Sequence, residues 1–224
     1  MSGEIDVVRH PRARRARLSV DPATGKVRLT IPKRAALAPA LRWAEDHGEW
    51  IAEQRAKLPV PRPFVPGATL PIGDALVTIC WDGAAPRRIV RIDDALHCGG
   101  PIEGLPRRIA TWLRREALAL LSRETEEFAA RLGVSVSRVA IGDPRGRWGS
   151  CASSGAIRYS WRLILMPDRV RRATVAHEVA HRVEMNHSPA FHALVDRLVG
   201  EDAATARIWL RRHGAALHWL GRDS

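Results

Sequence analysis

Cysteine is scarce. The 224 residues hold three, Cys80, Cys98 and Cys151. They are widely spaced, odd in number and form no C-x-x-C pair, which excludes a disulfide framework and a cysteine zinc knuckle. Reduced thiols in a cytoplasmic chain are the expected state. Tyrosine is rarer still, with Tyr159 alone, although there are eight tryptophans. Long apolar runs are missing too. No stretch approaches 18 uncharged apolar residues, so no membrane span is expected. The segment Ile157 to Met166 is short and carries Arg158 and Arg162. A basic run from Arg9 to Arg17 opens the chain with no apolar segment behind it, which does not read as a secretory signal. Repeats and low-complexity tracts are absent as well.

Acidic side chains are outnumbered, 24 against 36 Lys and Arg, for a net charge of +12. Such a balance favours acidic partners, nucleic acid among them. Arginine predominates and is spread along the chain, so charge alone names no partner. With 46% hydrophobic and 27% charged residues the composition is that of a folded globular protein.

Elements can be read from periodicity and turn residues. Arg17 to Val20 and Lys26 to Ile31 read as a hairpin around Asp21-Pro22-Ala23-Thr24-Gly25, with Val27, Leu29 and Ile31 on one face. Leu37 to Leu58 has the spacing of a single helix. Pro59, Pro61, Pro63 and Pro66 make a stiff connector. Strands follow at Leu70 to Trp81 and Arg87 to Ile92, then a long helix from Ile102 to Leu132 stopped by Gly133. Val134 to Ile141 and Ala156 to Met166 read as strands. A helix is expected from Asp168 to about Met185. Another begins at Ser188-Pro189, runs to Leu198 and is stopped by Gly200. The last spans Glu201 to Trp219.

The chemistry concentrates at His177-Glu178-Val179-Ala180-His181. Two histidines four apart present their imidazoles on one helix face, the spacing that lets both bind one zinc ion. The intervening Glu178 is placed as general base, taking a proton from the water that the metal activates. Catalytic zinc commonly has three protein ligands. His187 is the best third, provided the helix ends before it; Met185-Asn186 is the expected break, since Asn tolerates left-handed backbone. His192, Asp196 and Glu201 stand as alternatives. The span has the H-E-x-x-H-x-x-x-x-x-H spacing of metzincins, but Glu184 occupies the position of their turn glycine.

Arg147-Trp148-Gly149-Ser150-Cys151, Ser154-Gly155-Ala156-Ile157-Arg158, Trp161-Arg162-Leu163, the His177 to His181 segment and Asn186-His187-Ser188-Pro189-Ala190-Phe191 together resemble the YgjP-like metallopeptidases. That family is similar to SprT-like zincins. The match is strongest over residues 138–200. The resemblance implies that His177, His181 and His187 are zinc ligands and Glu178 the catalytic base, with strands beside the active-site helix. An exposed strand edge could then align an extended peptide by backbone pairing. Ser160 stands where the family usually has Asn. Read without the family, Trp148 and Trp161 suit core or pocket wall. Cys151 suits a small buried hydrophobe or a thiol near the metal. Arg147 and Arg162 could meet a substrate carboxylate or the oxyanion, or be salt-bridged. Tyr159 could donate to the oxyanion.

The expected architecture is α+β and zincin-like: a small, mostly antiparallel sheet packed on the H-E-x-x-H helix, after a β-rich N-terminal region. Residues 1–101 would form that region, with one helix, and residues 102–224 the metallopeptidase domain. The expected function is zinc-dependent peptide-bond hydrolysis on a protein or peptide substrate. The rival expectations are a nucleic-acid-associated protease acting on DNA-bound proteins, a zinc hydrolase of a non-peptide amide, and a zinc-binding protein with a degenerate site.

Overall fold

The structure is a computed structural model and describes residues 5–222. It is α+β, with small sheets and six α-helices among the described residues. Contacts divide the chain into two compact units, Met1–Val60 and Pro61–Ser224. The division expected at 101/102 falls inside the second unit.

In the first unit, strands β1 (Ile5–His10), β2 (Arg17–Val20) and β3 (Val27–Pro32) form a sheet of order β1-β3-β2. The expected hairpin is β2 with β3, antiparallel. Asp21 builds its turn by accepting from the Ala23 amide at 2.9 Å, and Gly25 takes the left-handed φ of 72° that closes it. Leu29 and Ile31 point inward against Ala40 and Ala44. The single helix expected over 37–58 is two, α1 (Leu37–Glu45) and α2 (Gly48–Ala56). His47 turns its ring back onto the Trp43 carbonyl at 2.7 Å, and Gly48, a poor helix former, follows at the break. The N-terminal 101 residues therefore carry two helices rather than one.

The second unit opens with strands β4 (Thr69–Ile72), β5 (Ala75–Asp82), β6 (Ile89–Ile92) and β7 (Ala95–Gly99), in the order β4-β5-β7-β6. Val77, Ile79 and Leu96 share one core cluster with Ile109, Leu113 and Leu121 of the long helix α3 (Leu105–Leu132). This shared core is why no boundary falls near residue 101. Gly133 ends α3 at φ 64°, as its position predicted.

A three-stranded sheet follows: β8 (Arg138–Gly142), β9 (Gly149–Cys151) and β10 (Ala156–Ser160), in the order β8-β10-β9. β10 runs parallel to β8 and antiparallel to β9, so this sheet is mixed and not mostly antiparallel. The strand expected over 156–166 stops at Ser160. There the serine hydroxyl accepts from the Arg162 amide at 3.3 Å and starts a 3-10 turn, Trp161–Leu165. Helices α4 (Asp168–Ala180), α5 (Pro189–Val199) and α6 (Asp202–Leu217) complete the unit. No helix among the described residues is long and apolar enough to cross a membrane.

Candidate metal centre

Helix α4 is held from below by its apolar face. Val170, Ala173, Ala176 and Val179 are buried in the main core. Periodicity then places His177 and His181 together at the helix's C-terminal end. The helix stops earlier than expected, at Ala180, with His181 as its cap. Arg182 and Val183 bond back to the Val179 and Ala180 carbonyls at 2.9 and 3.0 Å, tightening the last turn. Among the described residues Asp93 is the one non-glycine with positive φ, so Asn186 does not make the expected left-handed turn. The break comes instead from the side chains around 181–184. Arg182 reaches away to the Ser135 carbonyl at 3.1 Å. The His181 ring engages the Glu184 carbonyl at 3.1 Å.

This turn returns His187 to the other two histidines. The Nε2 atoms of His177 and His187 are 3.0 Å apart. One nitrogen from each of His177, His181 and His187 lies within 4.8 Å of the others. Ser188 starts α5 by accepting from the Phe191 amide at 3.2 Å. That places Phe191, fully buried, within 4.8 Å of all three imidazoles, ring centre to ring centre. Phe191 is thus an apolar floor that holds the rings upright. Its sequence signal was an aromatic residue one turn inside a capped helix, right after the third histidine. His192, Asp196 and Glu201 do not join the cluster; the His192 ring is 6.3 Å from His187 and exposed.

Glu178 is 6% exposed and lies against β9. Gly149 of that strand faces it closely. A Cβ there would sit 2.5 Å from the Glu178 Cγ, so the strand can approach the carboxylate only as glycine. Burial pushes the Glu178 carboxyl up to about 7, against the opposing charge of Arg147. Burial and the neighbouring imidazoles push His177 down to about 4, and burial lowers His181 as well. Both rings are therefore neutral at ordinary pH, with lone pairs free for a cation.

A cavity of about 480 Å³ opens over these groups. Its walls include Arg147, Trp148, Gly149 and Cys151 on one side and Arg207 and Leu210 on the other. Trp148 stacks on His218 at 5.2 Å and fills the space left by Gly214, so it is a wall. Trp161 is buried core. Cys151 is half-buried, its thiol pushed up by burial, and no second cysteine is near. Arg162 is spent on structure. It grips Asp143 with two bonds, at 2.9 and 3.2 Å, and donates to the Leu217 and Leu220 carbonyls. Tyr159 is fully buried and pairs with Thr125 at 3.0 Å, outside the cavity wall. It is not placed as an oxyanion donor. Arg147 stands exposed at the rim.

Comparison with known proteins decides the family. The model of the YgjP-like metallopeptidase domain matches residues 14–213. The chain belongs to the YgjP-like family. As a YgjP-like metallopeptidase domain it is a metal-dependent protease, and the match takes in all four residues of the cluster. The crystal structure of the metallopeptidase zymogen of Pyrococcus abyssi abylysin is also similar, at 20% identity, covering 41% of this chain and 93% of that one with a TM-score of 0.37. No curated protein sequence matches.

Proposed function

We propose that the protein is a zinc peptidase of the zincin type, with His177, His181 and His187 as the metal ligands and Glu178 as general base. The observation that carries this reading is the convergence of three imidazoles beside a buried carboxylate, in a cavity walled by an edge strand. The donor set fits the ion: three imidazole nitrogens and an open side match a catalytic zinc site. Zinc, when bound, would acidify a water and polarise the scissile carbonyl.

The chain's own groups do the rest. His181, donating from Nδ1 to the Glu184 carbonyl, keeps its Nε2 lone pair directed at the cluster. Phe191 excludes water from behind the rings. Glu178 accepts the proton of the attacking water and returns it to the leaving amine nitrogen. Burial keeps its proton affinity close to neutrality, which suits a group that must both take and give. Strand β9 has no partner strand on its outer edge among the described residues, so an extended protein or peptide segment can pair there with its carbonyl over the cavity.

Glu178→Gln tests the assignment. It should retain zinc by metal analysis and lose peptide hydrolysis by at least about 100-fold, the usual contribution of a general base. Hydrolysis at the wild-type rate would overturn the role of Glu178. Undiminished zinc content in His187→Ala would overturn the ligand set.

A further inference from the structure

The sheet beside the cavity has a second face, and that face is basic. Register puts Arg158 beside Ala140 on β8 and Ser150 on β9, and Ala156 beside Arg138. These side chains share the side of the sheet opposite Ile157 and Tyr159, which are buried. They line a groove of about 480 Å³, with Arg147 at its end. No carboxylate lines it among the described residues. Arg138, Arg147 and Arg158 are all exposed, and none forms an ion pair among the described residues. Arg147, Ser150 and Cys151 line both this groove and the metal cavity, so the two meet across edge strand β9.

A strand added to β9 would present its side chains alternately to the two faces. One set would face α4 and the cavity. The other would face the arginine-lined side of the sheet, beside Arg147 and, one strand further in, Arg158, with Arg138 on β8 a strand beyond that. We infer that this groove is a specificity subsite for acidic side chains, selecting extended substrates with Asp or Glu at alternate positions beside the scissile bond. The inference rests on the peptidase reading, and it names the substrate class. Guanidinium forks without internal partners match carboxylates bidentately, and each buries little by doing so. Arg147 at the junction would reach the acid nearest the scissile bond.

The test uses the full chain with zinc, and peptides that differ only in Glu against Gln at the alternate positions. Binding is read separately by fluorescence anisotropy on the Glu178→Gln protein. The acidic peptide should bind tighter, with the advantage falling as salt is raised. Arg158→Gln should lower that advantage by roughly two- to fivefold, the range for exposed ion pairs, Arg138→Gln on the far strand should lower it less, and both should leave the Gln peptide unaffected. Thermal unfolding at the wild-type midpoint would show that both variants fold. Arg158→Glu should reverse the order in favour of a Lys peptide. Equal binding of the Glu and Gln peptides, or an equal loss for both in the variants, would overturn the subsite. So would a single-stranded oligonucleotide that displaces the acidic peptide and loses affinity in Arg158→Gln, because the groove would then serve nucleic acid. If the acidic preference holds in binding but no peptide is cut by the zinc-loaded protein, the peptidase reading fails and the subsite stands.

Discussion

At the residue scale the site depends on close approaches more than on strong bonds. Gly149 and Glu178 are the sharpest case. Adding one methyl group at 149 would force it to within 2.5 Å of the carboxylate-bearing chain. With Glu178 in its proposed role as general base, Gly149→Ala should displace it and cut hydrolysis at least about tenfold, since small misplacements of a reacting group have large effects. Metal content should stay unchanged on the proposed ligand set, because the three histidines lie on α4 and the turn beyond it. Metal analysis and kcat for a single peptide would check this, and undiminished kcat would contradict it. The histidine pair and Glu178 were legible in the sequence because their relation is local, one helical turn. Gly149 was visible only as part of a motif. Its reason lies 29 residues away.

At the scale of elements, α4 is fastened to α3 by a buried ion pair. Arg171 grips Glu124 with bonds of 2.8 to 3.2 Å and reaches Asp168 with its remaining nitrogen. Both paired side chains are about 5% exposed. Arg172 also stands 3.8 Å from a Glu124 oxygen, so removing Arg171 leaves that buried carboxylate only partly compensated. Arg171→Met should cost up to about 3–5 kcal/mol in urea unfolding, and the double variant Arg171→Met/Glu124→Leu should recover most of it. A single variant within 1 kcal/mol of wild type, roughly the value of an exposed pair, would show the pair to be solvated. Helix starts and stops were readable where the cap is in the chain itself, at Gly133, Ser188 and Gly200. They were missed where a distant group intervenes. The α4 stop involves Arg182 reaching to Ser135, and the end of β10 is set by Ser160 and the buried Arg162.

At the scale of the whole molecule, Asp143 and Arg162 tie the β8–β9 loop to the end of α6. Burial works to raise the Asp143 carboxyl, but the bonds and charge of Arg162 outweigh it and hold the group below the usual carboxylate range. Folding thus favours the ionised form. That stability is fully present above the unfolded-state value and is lost as pH falls through the lower folded-state value. Wild-type thermal midpoints should drop on acidification through that window. Asp143→Asn should start lower at neutral pH and show a shallower acid loss. Parallel curves for the two proteins would exclude this pair as a source of the acid sensitivity. The unit boundary is also a whole-molecule property. The connector prolines from Pro59 onward lie at it, yet the change from a strand-rich to a helix-rich pattern near residue 101 suggested another place. The shared core of Val77, Ile79 and Leu96 with α3 overrides that change, because burial joins whatever surfaces are apolar, however far apart in sequence.

The sequence by itself determined which residues could cluster: two histidines and a glutamate within five residues, with a third histidine after a helix break. It did so because helical geometry is periodic and local. The tertiary structure alone decided what surrounds that cluster. It laid Gly149 against the glutamate, set Phe191 under the rings, withdrew Arg162 and Tyr159 into structural roles, and turned Arg138, Arg147 and Arg158 into one groove. Those relations join residues far apart in the chain, and only the packing of strand on helix brings them together.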